Sequence, residues 1–152
     1  MSTTTTTKHL KLEWHSSKDL LAVSSINSNS GGFISFFTKK GGKPFFSSKV
    51  RNQNSPTTFC WHPTESLLAI GWETGHLSLV DPTKRTESND LDAELKRCCC
   101  ILWDIEGLLL VAADEIRDLF FWLVIFNASN SIVKRAAWNI YAVLNRKKKF
   151  QK

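Results

Sequence analysis

The chain repeats one pattern of residues along its length, and this repeat limits its fold more than any other feature. In each copy a Trp is followed five or six residues later by a Leu-rich apolar run. The first two copies are offset by 47 residues, and the third by a further 41 to 42. The copies are Trp14-His15 with 20–23, Trp61-His62-Pro63 with 67–70 and, more weakly, Trp103-Asp104 with 108–111. A period in the low to middle forties is typical of the four-stranded blade of a β-propeller.

The second copy reads as a series of short strands. Thr57 to Trp61 predicts a strand that ends before Pro63, because proline has no N–H with which to continue a ladder. Residues 67–72 are almost all apolar, as expected of a strand that is buried on both faces. Glu73-Thr74-Gly75 predicts a tight turn in which Gly75 takes a positive φ, and residues 76–80 then alternate polar and apolar.

The repeat divides the chain into an all-β region and two flanking segments. In the first copy, Gly31-Gly32 predicts the turn and residues 33–37 the strand after it. We predict a disordered N-terminus at 1–8, a partial WD-repeat β-propeller at 9–123 with blades at 9–52, 53–97 and 98–123, and a divergent tail at 124–152. An unrelated β-sandwich or barrel is the alternative. The paired blocks at one offset favour the propeller.

The tail has a different period. From Ile132 onward, apolar residues recur at three- and four-residue steps, which indicates a helix rather than a strand. Ser131 is a suitable N-cap, and Arg146 to Lys149 would lie at the carboxyl end, where cations stabilise the helix dipole. We therefore predict a basic, C-terminal amphipathic helix. A strongly diverged fourth blade is the alternative.

The net charge of +6 is unevenly distributed, and this argues against a specific nucleic-acid partner. Residues 1–52 carry eight Lys or Arg and two Asp or Glu, residues 53–126 carry five and twelve, and residues 127–152 carry seven and none. Nucleic-acid modules usually keep their basic residues on the folded platform beside aromatic side chains. The most apolar window, 119–126, is far shorter than the roughly 20 residues that cross a bilayer, so we expect no transmembrane segment.

The sequence contains no arrangement typical of catalysis or of metal binding. Cys60 stands alone, and adjacent residues in the run Cys98-Cys99-Cys100 would point to opposite faces of a strand, so we predict buried, reduced thiols and no metal. His15 and His62 occupy equivalent repeat positions, which indicates structural turn residues rather than a general base. No glycine-rich phosphate loop is present. We expect neither an enzyme nor a cofactor.

One stretch resembles a known family. Phe59-Cys60-Trp61-His62-Pro63-Thr64, followed by 67–70 and Gly71-Trp72-Glu73-Thr74-Gly75, is similar to the amino-terminal propellers of the large intraflagellar-transport subunits, most closely the intraflagellar transport protein 140 family of complex A. Residues 12–37 resemble the first blade of that family and 59–80 the second. Asp114 and 118–122 resemble the end of the third, with Asp118 in place of the expected turn glycine. The resemblance covers 9 to about 123.

The resemblance implies a non-catalytic protein-interaction scaffold, a fragment or short form of a complex A subunit that acts in retrograde ciliary transport and cilium assembly. The implied partners are other complex A subunits, and the implied location is the cilium and cytoplasm, at the ciliary base and axoneme. The alternative is a basic-tailed fragment that associates with anionic membrane, as a peripheral contact, or with nucleic acid. The structural markers of the repeat are Trp14, His15, Trp61, His62, Pro63, Gly71, Trp72, Gly75 and Trp103.

Overall fold

The computed structural model describes residues 6–91, 95–115, 119–126 and 132–139. These residues form three four-stranded sheets, each a simple meander in which neighbouring strands are antiparallel. The strand orders are β1-β2-β3-β4, β5-β6-β7-β8 and β9-β10-β11-β12. Each sheet therefore has the architecture of one propeller blade, which confirms the predicted all-β fold class. Among the described residues, no helix is long and apolar enough to span a bilayer.

The first blade begins at Thr7, inside the segment that the sequence analysis expected to be disordered. Its strands are β1 (Thr7–Trp14), β2 (Leu21–Asn27), β3 (Gly31–Phe37) and β4 (Phe46–Ser47). The turn between β2 and β3 lies at residues 28–30, and Gly31 is already the first residue of β3, with a φ of 99°. The observed turn therefore lies about two to three residues before Gly31-Gly32, the position that the sequence predicted.

The second blade follows the predicted pattern closely. Its strands are β5 (Pro56–Trp61), β6 (Leu68–Trp72), β7 (Leu77–Asp81) and β8 (Thr86–Leu91). Every residue of β6 is buried, as the apolar run predicted, because β6 lies in the sheet with another blade on each side. The turn between β6 and β7 contains Gly75, whose φ is 85°.

The third blade contains the main correction to the sequence analysis. Its strands are β9 (Cys98–Trp103), β10 (Leu109–Asp114), β11 (Leu119–Phe126) and β12 (Ile132–Asn139). The predicted helix is wrong for Ile132–Asn139, which pairs antiparallel with β11 as the fourth strand of the blade. Pairing gives the main-chain groups at the edge of β11 their partners, and such tertiary context overrides a local helical period. The rest of the predicted helix, with Arg146 to Lys149, lies outside the described residues.

Two hydrophobic clusters hold the three blades together, one at each junction. The first lies between blades one and two and contains Leu20, Ala22, Ile34, Phe36, Phe59, Trp61, Leu68, Ile70, Trp72 and Val80. The second lies between blades two and three and contains Leu67, Ala69, Leu77, Leu79, Leu95, Cys98, Ile101, Leu110 and Ala112. Successive residues of β6 alternate between the two clusters, because successive side chains of a strand point to opposite faces.

Candidate functional site

His15 and His62 each organise the turn that follows the first strand of their blade. The Nδ1 of His62 accepts hydrogen bonds from the main-chain N–H groups of Thr64 (3.2 Å) and Glu65 (2.9 Å). His15 repeats the arrangement with the N–H groups of Ser17 and Lys18, at 3.1 and 3.2 Å. Because Nδ1 is an acceptor in both turns, the ring hydrogen lies on Nε2. Both imidazoles are buried.

The Nε2 atom of each histidine forms a hydrogen bond to the next blade. His15 donates to the carbonyl oxygen of Glu65 at 2.9 Å, and His62 donates to that of Gly107 at 3.0 Å. Glu65 and Gly107 occupy the same position of their respective turns, three residues after His62 and Asp104. The same hydrogen bond thus joins blade one to blade two and blade two to blade three. We call it the inter-blade histidine bond.

Each histidine also packs on the tryptophan of the following blade. The ring centroids of His15 and Trp61 are 5.2 Å apart, and those of His62 and Trp103 are 4.8 Å apart. The Nε1 of Trp61 donates back to the carbonyl oxygen of Glu13 at 3.0 Å. Trp14, Trp61 and Trp103 are the last residues of β1, β5 and β9, so the structure places all three at one position of the blade.

Burial controls the protonation of His62. Desolvation is the main cause that lowers the pKa of this imidazole, and the bond to the Gly107 carbonyl offsets part of the shift. A lowered pKa keeps the ring neutral near pH 7, and the neutral ring is the form that can accept at Nδ1 while it donates at Nε2. His62 is therefore a structural group with both nitrogens occupied, and its ring does not offer a base to a substrate.

Gly107 is required by the inter-blade histidine bond. Its φ is 73°, a left-handed conformation that other residues adopt at a cost. A Cβ at this position would also overlap the imidazole of His62. Gly71 in β6 also has no room for a side chain, because a Cβ there would overlap the side chain of Cys98 in the third blade. Pro63 lies beside the first junction, where its carbonyl oxygen accepts from the Ser16 hydroxyl at 3.2 Å.

Trp72 belongs to a separate polar cluster. Its Nε1 donates to the Ser78 hydroxyl at 2.7 Å, and the same hydroxyl accepts from Nη2 of Arg51 at 3.0 Å. The Arg51 guanidinium lies 4.7 Å from the centroid of the Trp72 ring and 3.3 Å from a carboxylate oxygen of Glu87. Arg51 and Glu87 were missed in the sequence, because they come from the inter-blade connection and from the polar outer strand β8, where no repeat marks them.

The first blade exposes an apolar face, and the equivalent face of the second blade is buried. Leu12 and Trp14 occupy the positions of Phe59 and Trp61, one repeat earlier. Leu12 is 65% and Trp14 46% exposed, whereas Phe59 and Trp61 are 2% and 6% exposed. Cross-strand pairing adds further apolar neighbours on the same side. We call this surface the open face of the first blade; it consists of Leu12, Trp14, Leu21, Val23 and Phe37.

A groove of about 530 Å³ lies at one end of this open face. It is lined by Trp14, His15, the turn residues 16–19 and Lys39. The equivalent place on the second blade, beside Trp61 and the turn at 63–66, is occupied by the imidazole of His15. The groove is therefore the position at which a preceding blade would insert the residue that follows its first strand.

The third blade has an open face of its own, on the side away from blade two. Ile101, Leu110 and Ala112 point into the second cluster, so their strand neighbours point outward. We define the open face of the third blade by Leu102, Leu109 and Val111, of which Leu102 is 57% exposed. Leu102 and Val111 are directly opposite each other in the β9–β10 pair.

The cysteines differ in their environments, and this corrects the expectation that all four are buried. All four are free thiols, but Cys99 and Cys100 are exposed and only Cys98 is fully buried. Desolvation raises the pKa of Cys98 to about 12, so this thiol stays protonated at neutral pH. Within the described ranges, no group of three His, Cys, Asp or Glu side chains is placed to hold a metal ion.

The comparison with known protein families agrees with this geometry. A family model described as the IFT140 first beta-propeller matches residues 1–127. The match spans the repeat and all three blades as far as β11, and it confirms the family resemblance that the Trp-His-Pro and Gly-Trp-Glu-Thr-Gly blocks indicate.

Proposed function

Because the chain belongs to the family of the IFT140 first β-propeller, we propose that it acts as a protein-interaction scaffold of intraflagellar transport complex A. In this proposal the blades bind other complex A subunits, and the chain contributes to retrograde ciliary transport and cilium assembly at the ciliary base and along the axoneme. In this role the chain binds partners through its surfaces and catalyses no reaction. The proposal covers the strands from β1 to β11, since the family match ends at residue 127.

The observation that carries this proposal is the open face of the first blade. Soluble proteins rarely leave contiguous large apolar side chains in water, and such patches commonly mark protein contacts. Leu12 is 65% and Trp14 46% exposed, although the residues at the same positions of the second blade are almost completely buried by a neighbouring sheet. The face therefore has the shape and chemistry of a sheet that another protein surface covers.

The histidines support a scaffold in a second way. Both nitrogens of His15 and of His62 are engaged in the turns and in the inter-blade histidine bonds. The bonds hold neighbouring blades in a fixed relation, so loops and faces on different blades keep their spacing. A fixed spacing lowers the entropy lost when a partner binds several of them at once.

Affinity capture from ciliated cells tests the proposal. The tagged chain should recover other complex A subunits, measured by quantitative mass spectrometry. Leu12→Asp places a carboxylate on the open face and should reduce that recovery severalfold. Val50→Asp is the matched control, because Val50 is half exposed but lies in the connection after β4 and away from the open face. Recovery of no complex A subunit by the wild-type chain would contradict the proposal.

A further inference from the structure

One end of the fold gathers the connections that follow the first and third strands of the blades. β1 and β3 both end there, at Trp14 and Phe37, because neighbouring strands of a meander run in opposite directions. The inter-blade histidine bonds place the corresponding turns of the second and third blades at the same end. This end lies across the blades and not at a junction, so a blade added on either side of the chain would leave it uncovered.

The connections at this end divide by charge. The turns after the first strands, at 15–20, 62–67 and 104–108, carry four carboxylates and one ammonium group: Asp19, Glu65, Asp104, Glu106 and Lys18. The loops after the third strands, at 38–45 and 82–85, carry no carboxylate and five cations: Lys39, Lys40, Lys43, Lys84 and Arg85. We call these two loops the basic rim. Asp81, at the end of β7, pairs with Lys84 at 3.4 Å, so the second loop contributes less net charge than the first.

The charge of the first loop is concentrated at Lys40 and Lys43. The main-chain N–H of Lys39 donates to a carboxylate oxygen of Asp19 at 2.6 Å, and both residues line the groove of the first blade together with Lys18. Lys39 therefore belongs partly to that groove, with a carboxylate beside it. Of the ion pairs in the part of the chain that the structure describes, none includes Lys40 or Lys43.

The first loop also stands clear of its blade. It has eight residues between β3 and β4, and positions 39–45 are all exposed. Gly41 and Gly42 have φ of 67° and 85°, and nothing lies within 4 Å of the Cβ position at either. Phe45 is 36% exposed beside Lys43, and its N–H donates to the carbonyl oxygen of Phe36 at 3.0 Å, which anchors the base of the loop. The loop therefore offers ammonium groups and an aromatic ring to a surface outside the fold.

The chemistry of the basic rim suits many phosphate groups better than one. Its charges are spread over two loops, and a lysine ammonium is a hydrated point charge without the fixed fork of an arginine. Near an anionic lipid leaflet, each such charge strengthens binding by about fivefold. An exposed phenylalanine fits the boundary between headgroups and acyl chains. Nucleic-acid strands stack on several aromatic side chains in succession, whereas Phe45 is the only aromatic residue of the rim.

We propose that the basic rim binds the anionic phospholipid surface of a membrane, with Lys40 and Lys43 among the headgroups and Phe45 at the acyl boundary. The contact uses the end of the blades and leaves their sides free for other sheets. It goes beyond the scaffold role and does not depend on it.

Vesicle flotation with the purified full chain tests the contact, because vesicles carry bound protein upward and leave aggregates behind. Wild type should float with vesicles of about one-third phosphatidylserine in phosphatidylcholine, less so at high salt, and not with phosphatidylcholine alone. Lys40→Gln combined with Lys43→Gln should weaken binding about tenfold or more. Lys49→Gln combined with Lys96→Gln is the matched control, because both lysines are exposed in connections at the opposite end of the blades, and it should bind within about twofold of wild type.

The basic run near the C-terminus needs its own control. Its variant carries three changes, Lys147→Gln, Lys148→Gln and Lys149→Gln. In this background the substitutions at Lys40 and Lys43 should still weaken binding about tenfold. A wild-type chain that does not float, or a rim variant that floats as well as its matched control, would overturn the inference. So would a loss that arises only from the C-terminal changes.

Three further outcomes would assign the rim to another ligand and overturn the proposal. Displacement from vesicles by inorganic phosphate at constant ionic strength would show a site for a single phosphate. Binding of a mixed-sequence oligonucleotide that depends on Lys40 and Lys43, with flotation unchanged by their substitution, would show a nucleic-acid site. Loss of complex A recovery by the same variant, again with unchanged flotation, would show a protein partner. A rim variant that floats poorly and still recovers complex A subunits supports the membrane contact and leaves the scaffold proposal intact.

Discussion

His62 donates a hydrogen bond from Nε2 to the carbonyl oxygen of Gly107, 3.0 Å away, across the junction between the second and third blades. The two residues are 45 positions apart in sequence, and the bond is buried. The opposite nitrogen of the same ring accepts from two N–H groups of its own turn. One side chain therefore fixes both the turn that contains it and the blade that follows.

Replacement of His62 by alanine is expected to destabilise the chain by about 2 to 4 kcal/mol, because it leaves a buried carbonyl and two main-chain N–H groups without this partner and creates a space beside Trp103. Chemical denaturation followed by tryptophan fluorescence measures the change. Glu73→Ala truncates an exposed side chain in the turn between β6 and β7 of the same blade and should cost well below 1 kcal/mol. Equal losses in the two variants would show that the inter-blade histidine bond contributes little.

The lowered pKa of His62 predicts a stability that falls with acidification. The unfolded chain takes up a proton at this residue near its ordinary pKa of about 6.5, and the folded chain only at lower pH. Between these values the unfolded state binds more protons, so the free energy of unfolding decreases as the pH falls below about 6.5. The measurement is denaturant unfolding in steps from pH 7.5 to 5. His62→Ala should show a shallower decline over that interval, and parallel curves for the two proteins would reject the assignment to His62.

Gly107→Ala should be far more harmful than Gly42→Ala, although both glycines have positive φ, of 73° and 85°. The backbone cost of roughly 1 kcal/mol is common to both. Only at Gly107 would the added Cβ overlap another side chain, that of His62, since nothing lies within 4 Å at Gly42. Denaturant unfolding measures the loss of unfolding free energy in each variant. The difference between the two losses gives the cost of the overlap at Gly107. Combining Gly107→Ala with His62→Ala should cost less than the sum of the single changes, because the second change removes the overlapping ring.

Arg51→Met should destabilise the chain by about 3 kcal/mol, because it removes the guanidinium from a Glu87 carboxylate whose side chain is only 4% exposed. Arg97→Met is the control: Arg97 also pairs with a glutamate, Glu115, but both side chains are about half exposed, so the loss should stay below about 1 kcal/mol. Raising the salt concentration should weaken the exposed pair far more than the buried one. Thermal unfolding of both variants at low and high salt makes the comparison.

The repeat was sufficient to predict the blades where burial dictates the residue type. The run at 67–72 predicted β6, and Gly75 predicted its turn, because a strand between two blades tolerates little besides apolar side chains. The outer strands carry no such constraint. The sequence Thr86–Leu91 is almost entirely polar yet forms β8, and Ile132–Asn139 has a helical period yet forms β12. Main-chain pairing at a sheet edge selects these strands, and it leaves no pattern in the side chains.

The junctions were only half predictable for a related reason. The equivalence of His15 and His62 predicted turn residues, and each ring accepts hydrogen bonds from N–H groups of the turn that follows it. Their reach into the next blade could not be inferred, because the acceptors at Glu65 and Gly107 are main-chain carbonyls that any residue type supplies. The glycine at 107 was a signal that sequence reasoning did not use. Its requirement becomes visible only when the imidazole of another blade is seen beside it.

The inter-blade histidine bonds can form only in a fixed order during synthesis, because each donor is made before its acceptor. Each histidine reaches forward, to a carbonyl that the ribosome adds 50 residues after His15 and 45 residues after His62. During synthesis, which proceeds at roughly 5 to 20 residues per second, the first and second blades each wait several seconds for the acceptor that secures them. In that interval the blade made last presents an uncovered apolar side, and transiently exposed surfaces of this kind are prone to aggregate.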